Sequence, residues 1–151
     1  MARILIVPCG CRGRALAAEL AQAGHAVRGT TRDSAHAGAI RAAGAEPYVG
    51  DPDRIATLMD ALAGVTVVCW LMGTLPVPEL HAGRLRMLWE KLVDTPVRGV
   101  LYEGALSEGE PVARTASETW RIPLEVLTAD PRDHDAWLAH ARACVDRLLG
   151  L

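Results

Sequence analysis

The stretch from Ala2 to Asp33, ARILIVPCGCRGRALAAELAQAGHAVRGTTRD, constrains this chain more than any other. It opens on Ile4-Leu5-Ile6-Val7, an apolar run rich in β-branched residues that stops at once at Pro8 and Gly10. A run this short, continuous rather than alternating, reads as a strand buried on both faces of a parallel sheet. Pro8-Cys9-Gly10-Cys11-Arg12-Gly13 follows, then an Ala/Leu-rich helix from Arg14 to Ala23 closed by Gly24, then a second strand over Ala26 to Thr31. Strand, glycine turn, helix and strand within about thirty residues is the setting in which a glycine motif serves a dinucleotide.

The physical cause lies in the helix start. Its first N–H groups have no partner inside the helix and form an anion site suited to a pyrophosphate. Here the donors would be the amides near Gly10, Cys11, Arg12 and Gly13, with Cys9 beside them. Gly10 would admit phosphates close to the main chain, and Gly13 would let the helix pack tightly on the strand. Pro8 stands where the first glycine of G-x-G-x-x-G is usual, and proline fixes φ and offers no N–H. The turn therefore differs in detail from the common one. An α/β domain of the same shape that has lost its nucleotide is the competing reading.

The rest of the chain repeats the βα alternation. Asp33 precedes a helix to about Ala43, ended by Gly44, and a short strand covers Ala45 to Gly50, an edge strand given Pro47. Asp51-Pro52 reads as the start of another helix, with Ile55, Leu58, Met59 and Leu62 at helical spacing and Gly64 at its end. Val65 to Met72 is the most strand-like run, apolar almost throughout, and belongs at the centre of the sheet. Leu80 to Val93 is helical, with Leu85, Leu88, Leu92 and either Met87 or Trp89 facing inward. Val97 to Tyr102 is a fifth strand, and Ser107 to Trp120 a helix whose start Gly109 and Pro111 delay toward Val112. Ile122 to Leu127 is a sixth strand. A last helix follows Asp130-Pro131, with Trp137, Leu138, Ala141, Val145 and Leu148 as its apolar stripe. The expected fold is α/β: a three-layer doubly wound parallel sheet of about six strands in the order 3-2-1-4-5-6, in a single domain over 1–151. A five-stranded flavodoxin-like order is the alternative.

The net charge of −2 leaves no electrostatic footprint for nucleic acid. The longest apolar stretch, Val65 to Leu75, falls short of the eighteen or so residues a membrane span needs. Four cysteines in a chain without a signal-like start read as reduced thiols, so a cytoplasmic location is expected. Cys9-x-Cys11 has the wrong spacing for a redox or zinc pair, though a thiol exposed beside a phosphate site would be acidic. His134 and His140, six apart on a helix, do not share a face. Asp133-His134-Asp135 reads as a solvated first helical turn, so no metal site is expected.

In a doubly wound sheet, ligands bind beyond the carboxyl ends of the strands, where the strand order reverses. An NAD site usually ends its second strand in Asp or Glu, which grips the ribose 2′-hydroxyl. This chain has Thr30-Thr31-Arg32 there. A guanidinium suits a 2′-phosphate, so NADP(H) is favoured over NAD(H). The bland alternative makes Arg32 a solvated residue before a helix.

On these residues, 3 to 73 resemble the N-terminal part of the atypical and extended short-chain dehydrogenase/reductases, near the NAD-dependent epimerase-like group. RILIVPCGCRGRALAAEL, GHAVRGTTRD, AGAEPYVGDPD and ALAGVTVVCWL carry the likeness. The resemblance implies a Rossmann fold whose loop of Gly10, Cys11, Arg12 and Gly13 holds the pyrophosphate. It places Thr31 and Arg32 at the adenosine ribose or its 2′-phosphate, Asp51 facing the adenine amino group, and Leu71 to Gly73 along the cofactor. The family's catalytic Tyr, followed four residues later by Lys, is absent. Tyr48 is followed at that spacing by Pro52 and Tyr102 by Leu106, and the one lysine is Lys91. Without a neighbouring ammonium to acidify the Tyr, the family's reductase mechanism does not transfer.

Tyr102 and Glu103, ending the fifth strand, are the polar pair left as acid/base candidates, against a structural role for both. Two functions stay open. One is an NAD(P)-dependent oxidoreductase or epimerase-like enzyme acting on a small molecule the sequence does not identify. The other is a non-catalytic nucleotide-binding sensor, or a subunit of a larger oxidoreductase assembly. A methyltransferase-like nucleotide site fits poorly with Arg32, and a homo-oligomer is compatible with any of these.

Overall fold

The computed structural model describes residues 2–151. Six parallel strands form one sheet in the order β3-β2-β1-β4-β5-β6, which is the doubly wound order expected from the alternation of short apolar runs and helices. The strands are β1 (Arg3–Val7), β2 (Ala26–Thr31), β3 (Glu46–Val49), β4 (Val67–Met72), β5 (Gly99–Gly104) and β6 (Leu124–Val126). The helices are α1 (Cys11–Gln22), α2 (Ala37–Ala42), α3 (Gly83–Leu92), α4 (Gly109–Trp120) and α5 (His134–Leu148). β1 and β4 pair directly, Ile4 beside Val67 through Val7 beside Trp70. The chain therefore reverses its direction of travel across the sheet at the ends of these two strands.

Both faces of the sheet are covered, which is why its central strands read as unbroken apolar runs. All six residues of β4 are buried. On one face, Leu5, Val7, Val68, Trp70 and Val100 pack against α3, α4 and the segment around Ile55–Leu62. On the other, Ile4, Ile6, Cys69 and Leu101 pack against α1, α2 and α5. The chain has no Phe, and Trp70, Trp89 and Trp137, all fully buried, supply the bulk. Trp89 is the inward residue of α3, whereas Met87 faces out at 38 % exposure.

The expectation that fails is the helix after Asp51-Pro52. That segment folds instead as turns and two short 3-10 pieces, Ile55–Leu58 and Asp60–Leu62. Side chains take over the backbone groups that a helix would have used. The Asp51 carboxylate accepts from the amide of Asp53 at 2.9 Å. The Thr57 hydroxyl donates to the Arg54 carbonyl at 2.7 Å and accepts from the amide of Asp51 at 2.8 Å. From β2, Arg28 donates to the carbonyls of Ala61 at 2.6 Å and Ala63 at 3.3 Å. Such local bonds compete with the helical ladder. Asp130-Pro131 misleads in the same way: Asp130 turns back on Arg132, and Asp133 is the true cap of α5, accepting from Ala136.

Candidate nucleotide cleft

β1 ends in a cis Val7–Pro8 peptide and runs through Cys9 into Gly10, the cap residue of α1. No side chain caps this helix start, so its first amides keep their donors. Two glycines of the turn have different jobs. A Cβ on Gly13 would come 3.0 Å from Ile6 and 3.1 Å from the Pro8 carbonyl, so here the helix lies directly on the strand and its turn. A Cβ on Gly10 would meet nothing within 4 Å. The space in front of Gly10 is open despite the proline ring beside it.

That space belongs to a cleft of about 770 Å³ across the carboxyl ends of β1, β2 and β3. Of the residues singled out from sequence, it brings together Cys9, Gly10, Thr31, Arg32 and Asp51. It adds Arg14 and His36, which the sequence reading passed over. The signal for Arg14 was present: it lies four residues after Gly10 on α1, and helical side chains lean toward the N-terminus, so position i+4 looks back at the turn.

Charge within the cleft is unevenly committed. Asp33 accepts from the amide of Ala35 at 2.9 Å, Asp51 closes its own turn, and Asp53 pairs with Arg84 at 3.2 Å. The Thr31 hydroxyl donates to the Asp33 carbonyl at 3.1 Å. Among the described residues, neither Arg14 nor Arg32 pairs with a carboxylate. Two guanidiniums free to bind anions thus line the cleft that contains the open helix start. These features fit a group carrying phosphates at two places.

The remaining sequence candidates lie elsewhere. Cys11 is exposed on the first turn of α1. Leu71 is buried in the core, and Gly73 sits at the end of β4 beneath the Glu103 carboxylate, into which an added methyl group would collide. Arg12 turns away from the cleft. Its Nη1 donates to both oxygens of Glu103, at 2.7 and 2.8 Å, and its guanidinium lies 4.7 Å from the centre of the Trp137 ring. Glu103 accepts as well from Trp137 Nε1 at 2.6 Å and from the amide of Gly73 at 3.2 Å. With four hydrogen bonds and 2 % exposure, it is held as a structural carboxylate.

Tyr102, the neighbouring residue of β5, points to the opposite face. His81 Nε2 lies 2.8 Å from the Leu75 carbonyl, which can only accept, so that nitrogen carries the proton. Nδ1 then accepts from the Tyr102 hydroxyl at 2.7 Å. Burial first, and then the charges of Glu110 and Glu108, push the Tyr102 phenol up to about 12. A phenol raised in the folded state contributes stability fully present below the ordinary value of about 10 and lost as pH rises toward 12. Alkaline unfolding is therefore expected to steepen between pH 10 and 12, and Tyr102→Phe to remove part of that dependence in urea titrations.

Burial also raises the Cys9 thiol to about 11, against a partial lowering by Arg14. Cys9 is 3 % exposed and lies against Gly29, where a Cβ would stand 2.6 Å from its sulfur. It is not an acidic thiol. Cys69 and Cys144 are buried and raised too, each first by burial. A thiol reagent is therefore expected to react rapidly with Cys11 in the native protein and with the other three only on denaturation; rapid labelling of Cys9 would contradict its packing.

A doubly wound sheet with an open, phosphate-suited crevice at the β1 end defines an NAD(P)-binding Rossmann protein. The sequence profile of the NAD(P)H-binding family matches residues 10–142, and the chain belongs to that family. Among solved structures it is similar to the triphenylmethane reductase of Citrobacter sp. complexed with NADP(H), with a TM-score of 0.68, 19% identity, 83% of this chain and 48% of that one covered. It is similar also to the NADPH-dependent quinone oxidoreductase of Escherichia coli complexed with NADPH (TM-score 0.66, 20% identity, 83% and 47% covered). A third is vestitone reductase from alfalfa, Medicago sativa (TM-score 0.66, 12% identity, 83% and 56% covered). The chain thus spans about half the length of these proteins. No curated protein matches the sequence. Among the described residues, no helix is long and apolar enough to cross a membrane, and no three His, Cys, Asp or Glu side chains gather as a metal site would require.

Proposed function

We propose that this chain binds NADP(H) in preference to NAD(H), and that it does so as a binding module without an acid/base group of its own. The observation that carries the reading is the pairing of two uncommitted guanidiniums, Arg14 and Arg32, with the uncapped start of α1 in one cleft. The helix start and Arg14 would hold the pyrophosphate, with Cys9, Gly10, Cys11, Arg12 and Gly13 supplying the turn. Thr31 and Arg32 would face the ribose and its 2′-phosphate, and Asp51 the adenine.

The binding-module reading is favoured by the fate of the two acid/base candidates. Glu103 accepts four hydrogen bonds from three groups, and the Tyr102 hydroxyl donates to His81. A bound nicotinamide would supply hydride chemistry, but neither Glu103 nor Tyr102 stands free beside it as a proton donor. Calorimetric titration with NADPH, NADH and ATP tests the reading: NADPH binds most tightly, and failure of all three to bind overturns it. The enzyme reading makes a separate prediction, namely NADPH oxidation by some member of a panel of carbonyl compounds, lost in Tyr102→Phe. A change of oligomeric state on adding NADPH, without turnover, supports a sensor or subunit role.

A further inference from the structure

The carboxyl edge of the sheet carries two compartments of different character. Over β1 to β3 lies the cleft with Arg14, Arg32 and His36. Over β4 to β6 lies a second hollow of about 610 Å³, whose lining contains Glu103, Glu110 and Asp130 and no Lys, Arg or His. Each of those acids already has a cation, in Arg12, Arg114 and Arg132 respectively. The second hollow therefore offers neither a free cation for a phosphate nor a free carboxylate for a pyridinium.

The groups at the β4–β5 end that would meet a nicotinamide riboside are spent on the protein itself. The Glu103 carboxylate covers Gly73 and takes its amide, and Arg12 and Trp137 complete that knot from α1 and α5. On the other face, the Tyr102 hydroxyl is packed against Gly104 and Gly109 and bonded to His81. A polar ligand end placed there would gain little, because hydrogen bonds are worth most where a buried group would otherwise go unpaired. Of the charged side chains that line the two compartments, those without an ion-pair partner lie on the β1–β3 side; the second hollow keeps the hydroxyls of Ser107 and Thr128.

We propose that the cleft recognises the phosphoadenosine half of the dinucleotide alone, so that its ligand class is adenosine bearing phosphates at the 2′ and 5′ positions and its affinity ignores the redox state of the nicotinamide. The inference rests on the cofactor reading above, yet it fails separately. Calorimetry on the whole chain would compare NADPH, NADP+, adenosine 2′,5′-bisphosphate and reduced nicotinamide mononucleotide. The expected result is that the first three dissociation constants agree within about tenfold, and that the mononucleotide shows no binding. NADPH tighter than the bisphosphate by more than about tenfold, a gap of that size between NADPH and NADP+, or measurable binding of the mononucleotide overturns this inference while leaving cofactor binding intact. Failure of every ligand overturns both.

Discussion

Replacing Arg12 with methionine is expected to lower stability by about 3 kcal/mol, read as a fall in the urea midpoint. Methionine keeps the stem and fits a helical first turn, so the change isolates the guanidinium. What remains is Glu103, 2 % exposed, holding a charge with the Trp137 and Gly73 donors but no cation. Breaking a buried pair from this side is costly because the survivor has no route to water. The reverse substitution is cheaper. Glu103→Gln leaves an amide oxygen for Trp137, and Arg12, whose side chain is 17% exposed, can turn into solvent; about 1 kcal/mol is expected. The double variant should cost less than the sum of the two singles by about 1 kcal/mol or more. A loss below about 0.5 kcal/mol for Arg12→Met would mean that the contact behaves like an exposed ion pair.

Replacing Arg32 with alanine is expected to weaken NADPH binding by about ten- to a hundredfold, the worth of a charge-assisted bond to phosphate, and to leave NADH within about twofold. Arg32 is exposed and pairs with no carboxylate among the described residues, so its loss should leave the thermal midpoint unchanged. That separates recognition from folding. Equal loss for both cofactors would remove the 2′-phosphate role. Arg14→Ala is the companion variant: lying by the helix start rather than beyond β2, it should weaken NADPH and NADH together.

The sheet was legible because its code is short-range. Runs such as Ile4–Val7 and Val67–Met72 are continuous because helices bury both of their faces, and that pattern is visible without any partner strand. The cleft was legible in part: Gly10, Thr31, Arg32 and Asp51 stand at strand ends, and topology fixes where strand ends meet. The side chain of Arg12 was not legible from its neighbourhood. It lies inside the glycine turn, yet its guanidinium is claimed by Glu103, a residue 91 positions away. No local motif encodes that choice. The segment after Asp51-Pro52 shows the same limit, since a good cap and a helical apolar spacing lost to Thr57 and to Arg28 from another strand.

The sequence by itself determined the βα alternation and placed the glycine turn at the end of β1, because both follow from backbone chemistry and from apolar runs a few residues long; the tertiary structure decided between the two strand orders and showed the space before Gly10 to be open beside Pro8. Only the tertiary structure decided which polar groups remain available to a ligand. Arg14 and Arg32 are left without carboxylates, while Arg12, Glu103, Tyr102 and His81 are consumed in pairs. A charged side chain can satisfy one partner well, and which partner lies within reach depends on how strands and helices distant in the chain are brought together.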